Sequence, residues 1–272
     1  MNIIEEILKA QKLKKHFAVV TIVETEGSTP RNENAKMLVF SDGRCQGTIG
    51  GGVLENQAIQ EAQEAIKRRK STLVKYRLHE GEGESLPMKC GGNVQLFIEV
   101  FTPKPALVIV GAGHVGKALS EVAKMLNFEI TIIDDREEWA DKDRFPGGTN
   151  VLVKKDMTKA FDNIEIDVDT CIVIATRGHG YDKEALSAAL KLKASYIGMI
   201  GSNKKVRETF QQLINEGFDA ELLKKVYSPI GLDLGAETPE EIAVSIMAEI
   251  LKVRNNAKGG SLSEGTNYEF IR

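Results

Sequence analysis

The chain has 272 residues, enough for one large or two ordinary domains, and its 42% hydrophobic and 28% charged residues are those of an ordinary soluble globular protein. A formal net charge of −3 gives no reason to invoke nucleic acid or an acidic membrane surface, and no apolar run approaches the length of a membrane span. Three cysteines, Cys45, Cys90 and Cys171, are odd in number and far apart, which indicates neither a disulfide framework nor a zinc knuckle and points to a reducing cytoplasm.

The N-terminus reads as an amphipathic helix rather than a signal peptide, because Glu5 and Glu6 interrupt its apolar residues at once. Phe17 to Val23 and Lys36 to Phe40 predict strands, and Asp42-Gly43 supplies hairpin turn chemistry before Cys45, itself placed on a strand. Val53 to Lys70 predicts a helix, with Leu54, Ala58, Ala62, Ala65 and Ile66 at helical spacing. Strands over Thr72 to Leu78 and Asn93 to Phe101 flank a polar, glycine-rich loop from His79 to Pro87. Residues 1–101 therefore form a first, mixed α/β domain, which Thr102-Pro-Lys-Pro105 closes as a short stiff connector.

From residue 106 to 254 strands and helices alternate. Strands fall at Ala106 to Val110, Ile130 to Ile133, Val151 to Val153, Thr170 to Ala175, Tyr196 to Ile200 and around Val226. Regular alternation predicts a doubly wound, Rossmann-like parallel sheet with helices on both faces. Cys171 falls in an apolar strand and reads as core packing. The last helix opens on Thr238 as cap, with Pro239 in the first turn and Glu241 completing a capping box. Residues 255–272 make a polar tail rich in Gly and Ser.

Several clusters could carry chemistry. Gly111-Ala-Gly113-His114-Val-Gly116 follows a strand and opens a helix: Gly111 permits the turn, Gly113 lets a pyrophosphate approach, and Gly116 packs helix on strand. Asp134, at the end of the next strand, is placed to hydrogen-bond a ribose. His114 is unusual within such a loop. Arg177 and His179, and Gly201 with Ser202, lie at later strand ends and converge on the same edge. In the first domain, Gly50, Gly51 and Gly52 open the helix and offer amide groups to an anion, with Glu55 in its first turn; the alternative is a tight turn with Glu55 as a cap. Cys90, between Lys89 and Gly91-Gly92, reads as a reactive thiol or a soft metal ligand, or else as a buried cysteine before a strand. Ser28, Thr29 and Arg31 form a turn suited to an anion, or a solvated one.

Taken together, Gly27-Ser-Thr-Pro-Arg31, Gly47-Thr-Ile-Gly-Gly-Gly52 with Glu55, Met88-Lys-Cys90-Gly-Gly92, Gly111-Ala-Gly-His-Val115, Tyr196-Ile-Gly-Met-Ile-Gly201, and Pro229-Ile-Gly-Leu-Asp233 with Gly235-Ala-Glu-Thr-Pro-Glu-Glu-Ile242 resemble the xanthine dehydrogenase accessory (XdhC/CoxI) family. The resemblance runs in order from about residue 10 to residue 252. It implies an N-terminal XdhC/CoxI domain, a C-terminal Rossmann domain and a homodimer. It implies binding of molybdenum cofactor (molybdopterin), its protection during sulfuration with a cysteine desulfurase partner, and delivery to a xanthine dehydrogenase-type molybdenum hydroxylase. Cys90 would then be the candidate molybdenum or sulfur contact. The chain departs from the family where Asn34 replaces a common glycine and in the acidic loop from Glu80 to Glu84.

Two other functions remain open at this point. One is an NAD(P)-dependent oxidoreductase using the loop at Gly111, with His179 or His114 as proton donor; the N-terminal motifs have no role in it. The other is a nucleotide-sensing regulatory module. No assembled nucleophile, base and orienter argues for a conventional catalytic cycle.

Overall fold

The structure, a computed structural model, describes residues 3–27, 31, 33–79, 86–87 and 92–263; of His79, Leu86, Pro87 and His179 only the backbone is described. The chain divides into two compact units, Met1–Pro103 and Lys104–Arg272. Among the described residues, no helix is long and apolar enough to cross a membrane.

The first unit contains α1 (Ile3–Lys12), β1 (Phe17–Glu26), β2 (Lys36–Phe40), β3 (Cys45–Gly47), α2 (Gly52–Arg68), β4 (Thr72–His79), β5 (Leu86–Pro87) and β6 (Gly92–Phe101). The strands order as β3-β2-β1-β6-β4-β5, antiparallel except for the pairing of β4 with β5. The apolar residues of α2 recur every three or four positions, so Leu54, Ala58, Ala62, Ala65 and Ile66 share one face and bury against Val20, Val39, Leu96 and Ile98. The α1 stripe of Ile3, Ile7 and Ala10 packs with Phe17, Val19 and Leu38, residues that alternate with the α2-facing ones along β1 and β2. The β2–β3 turn has Gly43 at φ +84, and the Phe40 and Gly43 amides donate across it to Arg44 and Phe40 carbonyls.

The second unit contains β7 (Ala106–Val110), α3 (His114–Met125), β8 (Glu129–Asp134), β9 (Asn150–Val153), β10 (Thr170–Ile174), α4 (His179–Ala189), β11 (Tyr196–Met199), α5 (Asn203–Asn215), α6 (Ala220–Leu223) and α7 (Pro239–Arg254). All five strands are parallel in the order β11-β10-β7-β8-β9, the doubly wound arrangement. Being covered on both faces, β10 is buried at every position, Cys171 included. On one face α3 and α7 meet Leu107, Ile109, Ile132 and Val173; on the other, α4 and α5 meet Val108, Val110, Ile172 and Ile174.

The expected strand at Val226 is not formed. Tyr227 makes only an isolated parallel bridge with Gly198, because the chain bends at residues 228 and 229 and does not run on along β11. The capping box of α7 is as the sequence predicts: Thr238 accepts from the Glu241 amide, and Glu241 accepts from the Thr238 amide. Helix α7 is tied to the sheet by Glu249, whose carboxylate accepts from the Tyr196 hydroxyl at 2.6 Å and the Gly231 amide at 3.0 Å.

Candidate functional sites, one in each unit

Antiparallel pairing gathers the described residues that flank the N-terminal motifs at one end of their sheet. The end of β1 and Gly27, the start of β2 at Lys36, the end of β3 at Gly47 and the start of β6 at Gly92 all lie there, as does the beginning of α2. Ser28, Thr29, Cys90 and Gly91 lie outside the described residues; Arg31 is described and exposed. At the same end, Asn93 donates to Glu26 at 2.8 Å across β6 and β1.

Gly50, Gly51 and Gly52 carry φ of +129, +75 and +65, a run that side chains other than glycine's resist. A Cβ at Gly51 or Gly52 would meet nothing within 4 Å, so the bare backbone faces open space that a ligand could enter. The loop's amides, however, are not simply open to an anion. One oxygen of Glu55 accepts from the Thr48 hydroxyl at 2.6 Å, the Gly51 amide at 3.0 Å and the Ile49 amide at 3.2 Å. Thr48 in turn accepts from the Gly50 amide at 3.1 Å. Glu55 is thus an internal anion that holds the loop in shape, closer to the cap reading than to a free cradle. Glu55→Ala should cost about 1–3 kcal/mol, the penalty for orphaned donors of this kind, and thermal unfolding should register it. Unchanged stability would show that the loop holds itself.

In the second unit the carboxyl ends of the five strands share one edge, where ligands bind in open parallel sheets. The three glycines of the β7–α3 loop have separate tasks. A Cβ on Gly111 would overlap the Ala175 carbonyl, and one on Gly116 would overlap the Gly111 carbonyl; at Gly113 it would meet nothing within 4 Å. Two glycines are therefore fixed by packing, and the third leaves the entrance of α3 open. That helix has Gly113 as cap with no side-chain cap hydrogen bond and no acid in its first turn, so no side chain of its own offsets its positive end. These features fit a phosphate-bearing nucleotide.

Asp134 does not wait for a ribose. It is 3% exposed, and its carboxylate accepts from the Ala112 amide at 2.8 Å, the Arg136 amide at 3.0 Å, and the Arg136 guanidinium at 2.9 and 3.0 Å. Burial alone would raise its pKa, but the Arg136 and Ala112 hydrogen bonds prevail and hold the carboxyl below its ordinary value. The Ala112 carbonyl is pinned as well, accepting from Arg144 at 3.2 Å. Trp139 completes this cluster: the guanidinium carbons of Arg136 and Arg144 lie 4.5 and 4.6 Å from its ring centre, and the exposed His114 sits edge-on at 5.6 Å.

Arg177 reaches across from the end of β10 to Asp135, at 2.7 Å, and to the Tyr181 hydroxyl. His179 opens α4, its side chain outside the described positions. Ser202 caps α5 by accepting from the Lys205 amide, with Gly201 just before it. Lys205 pairs with Asp182, which is fully buried and also accepts from the Thr176 amide and hydroxyl. Sequence reasoning missed Thr48, Arg136, Trp139, Arg144 and Asp182. Only Arg136 carried a signal, standing two residues after the strand-ending acid. Among the described residues, no group of three or more His, Cys, Asp or Glu side chains could hold a metal ion.

Comparison with known proteins adds to this geometry. A family model described as the XdhC Rossmann domain matches residues 107–250, and one described as the XdhC and CoxI family matches residues 10–77. The chain is 38% identical over 260 residues to the uncharacterized protein YqeB of Escherichia coli (strain K12), covering 96% of the chain but only 48% of YqeB. It thus spans about half the length of that relative. It is 23% identical to a probable xanthine dehydrogenase subunit of Bacillus subtilis (strain 168), over 89% of the chain and 94% of that protein. It is 24% identical to the molybdenum cofactor insertion chaperone PaoD of E. coli (strain K12), over 88% and 84%. A crystal structure of a xanthine dehydrogenase from Bacillus halodurans shares the fold, with a TM-score of 0.51 and 23% identity over 97% of the chain and 99% of that one.

Proposed function

The chain belongs to the XdhC and CoxI family, and on that premise we propose that it is a molybdenum cofactor-binding chaperone serving a xanthine dehydrogenase-type molybdenum hydroxylase. The observation that carries this reading is the near full-length similarity to a molybdenum cofactor insertion chaperone, PaoD. The gathering of the described residues that flank the N-terminal motifs at one end of their sheet supports it. When bound, the cofactor supplies a dithiolene-held metal that can accept a thiolate.

In this reading Cys90, just before β6, is that thiolate, flanked by Gly91 and Gly92. Ser28, Thr29 and Arg31 receive the pterin's phosphate, and the open backbone at Gly51 and Gly52 lets the cofactor lie close. Glu55 keeps the loop shaped for that approach. The second unit binds a nucleotide, either a separate dinucleotide such as NAD(P) or a nucleotide extension of the cofactor, with its phosphates on the α3 entrance at Gly113. Sulfuration with a cysteine desulfurase, and action as a homodimer, complete the proposal.

The test is retention of pterin. Purified protein is incubated with molybdenum cofactor, freed of unbound material, and assayed by pterin fluorescence after oxidation. Near-stoichiometric retention is expected, falling at least tenfold in Cys90→Ala with the fold intact. Full retention by that variant would remove Cys90 from the site, and no retention by the native chain would sink the chaperone reading.

A further inference from the structure

The nucleotide reading of the second unit can be sharpened at the end of β8. In a dinucleotide site that selects an unmodified ribose, a strand-ending acid accepts the ribose hydroxyls. Two carboxylate oxygens offer about four acceptor positions, and Asp134 already receives four hydrogen bonds, two of them from one guanidinium. A ribose hydroxyl could bind there only by displacing a charge-assisted bond in favour of a neutral one, at a carboxylate that is 3% exposed. The adjacent acid is engaged too: Asp135, 13% exposed, holds Arg177 at 2.7 Å with one oxygen and lies 3.8 Å from the Arg136 Nε with the other. Of the acids on the following turn, Glu137 faces Lys155 at 3.8 Å, while Glu138 acts on Arg136 through space.

Arg136 is the group turned outward. Its side chain is 20% exposed, and the fork on Asp134 uses only one edge of a guanidinium that carries five N–H donors. The remaining donors suit a phosphate, and Asp134 and Trp139 hold the plane in place. Arg144, on the same tryptophan, adds a second positive charge.

Resting on the nucleotide reading of this unit, we propose that Arg136, oriented by Asp134, selects an adenine nucleotide whose ribose carries a phosphate and discriminates against one with free ribose hydroxyls. A 2′-phosphate, as in NADP, and a 3′-phosphate, as in coenzyme A, share this chemistry.

Trp139 is the only tryptophan in the chain and touches Arg136, so its fluorescence reports the site. The full-length protein is titrated with adenosine 2′,5′-bisphosphate, adenosine 3′,5′-bisphosphate and AMP, with calorimetry in parallel. One bisphosphate is expected to bind at least tenfold more tightly than AMP, and which one does so identifies the source. Arg136→Ala, which frees the Asp134 carboxylate, should erase or reverse the preference; Arg136→Lys keeps a charge without the fork and should reduce it if the alanine variant does not fold. Equal affinities in the native protein, a preference that survives both variants, or no binding of any of the three by folded protein would overturn the proposal. Pterin retention is read separately. A protein that retains pterin but fails this titration loses only the nucleotide claim, and one that passes the titration without retaining pterin loses only the chaperone claim.

Discussion

Alanine at Gly116 is expected to destabilise the second unit by about 3 kcal/mol or more, while alanine at Gly113, three residues earlier, leaves stability nearly unchanged and abolishes the proposed nucleotide binding. The contrast follows from what each methyl group would meet. At Gly116 it lands inside the Gly111 carbonyl oxygen, far closer than the 3.0 Å below which real Cβ atoms essentially never approach, with the Ile109 side chain at 3.4 Å beyond it. Neither neighbour can retreat, since Gly111 donates to the Ile133 carbonyl at 2.7 Å and Ile109 is fully buried in the sheet. Overpacking of this kind costs about 1–3 kcal/mol where side chains can adjust, and more where backbone must move. At Gly113 the backbone is extended, at φ −67, and the methyl projects into open space. Alanine is unstrained there, but its methyl stands where a phosphate would approach the α3 entrance. Chemical denaturation and nucleotide titration of the two variants separate the outcomes. A Gly113→Ala protein that binds as well as the native chain would show that the loop is purely architectural.

The second large effect is expected at Lys205. Asp182 is fully buried, with one oxygen taken by the Thr176 amide and hydroxyl and the other facing the Lys205 ammonium. Lys205→Met would leave that carboxylate buried without its counter-charge, a loss of about 3–5 kcal/mol. The reverse truncation, Asp182→Ala, should cost less, because the lysine is 15% exposed and can extend its charge to water, whereas the aspartate cannot. A double-mutant cycle measures the coupling, and the double variant should lose less than the sum of the two singles. Additive losses would mean that the two charges do not depend on each other. The pair ties the first turn of α4 to the first turn of α5, and through Thr176 to the turn after β10, so its rupture should loosen the segments that border the carboxyl edge of the sheet.

The elements of both units were legible because periodicity reports burial directly. The α2 stripe and the continuous apolar run of β10 each admit one environment. Val226 misled for the same reason: it is 9% exposed and apolar, but it packs against Val206, Leu213 and Leu223 rather than pairing along the sheet. The glycine loop was legible in the tasks of Gly111 and Gly116, because those tasks are steric and steric demands mark residue type. Polar partnership was not. Asp134 stands where a ribose acceptor stands, and Arg136 two residues on is the one local sign that its carboxylate is already taken. Glu55 sits in a first turn where caps are common, yet its oxygen serves Thr48, Ile49 and Gly51. Lys205 and Asp182 lie in the first turns of separate helices, and only the parallel order of β10 and β11 makes them neighbours.

The position of α7 has a consequence for how the chain comes into being. The core face of the parallel sheet that holds Leu107, Ile109 and Val173 is completed by Ala243, Ile246, Met247 and Ile250, while every strand it covers lies before residue 200. Synthesis runs from the N-terminus, so the ribosome releases a finished set of strands with one face only partly covered, and with the Tyr196 hydroxyl lacking its acceptor, until Glu249 emerges. The first unit ends at Pro103 and is therefore made before any strand of the second. The nascent chain therefore passes through an interval in which all the strands of the parallel sheet are made and the sheet is still open along its α7 face.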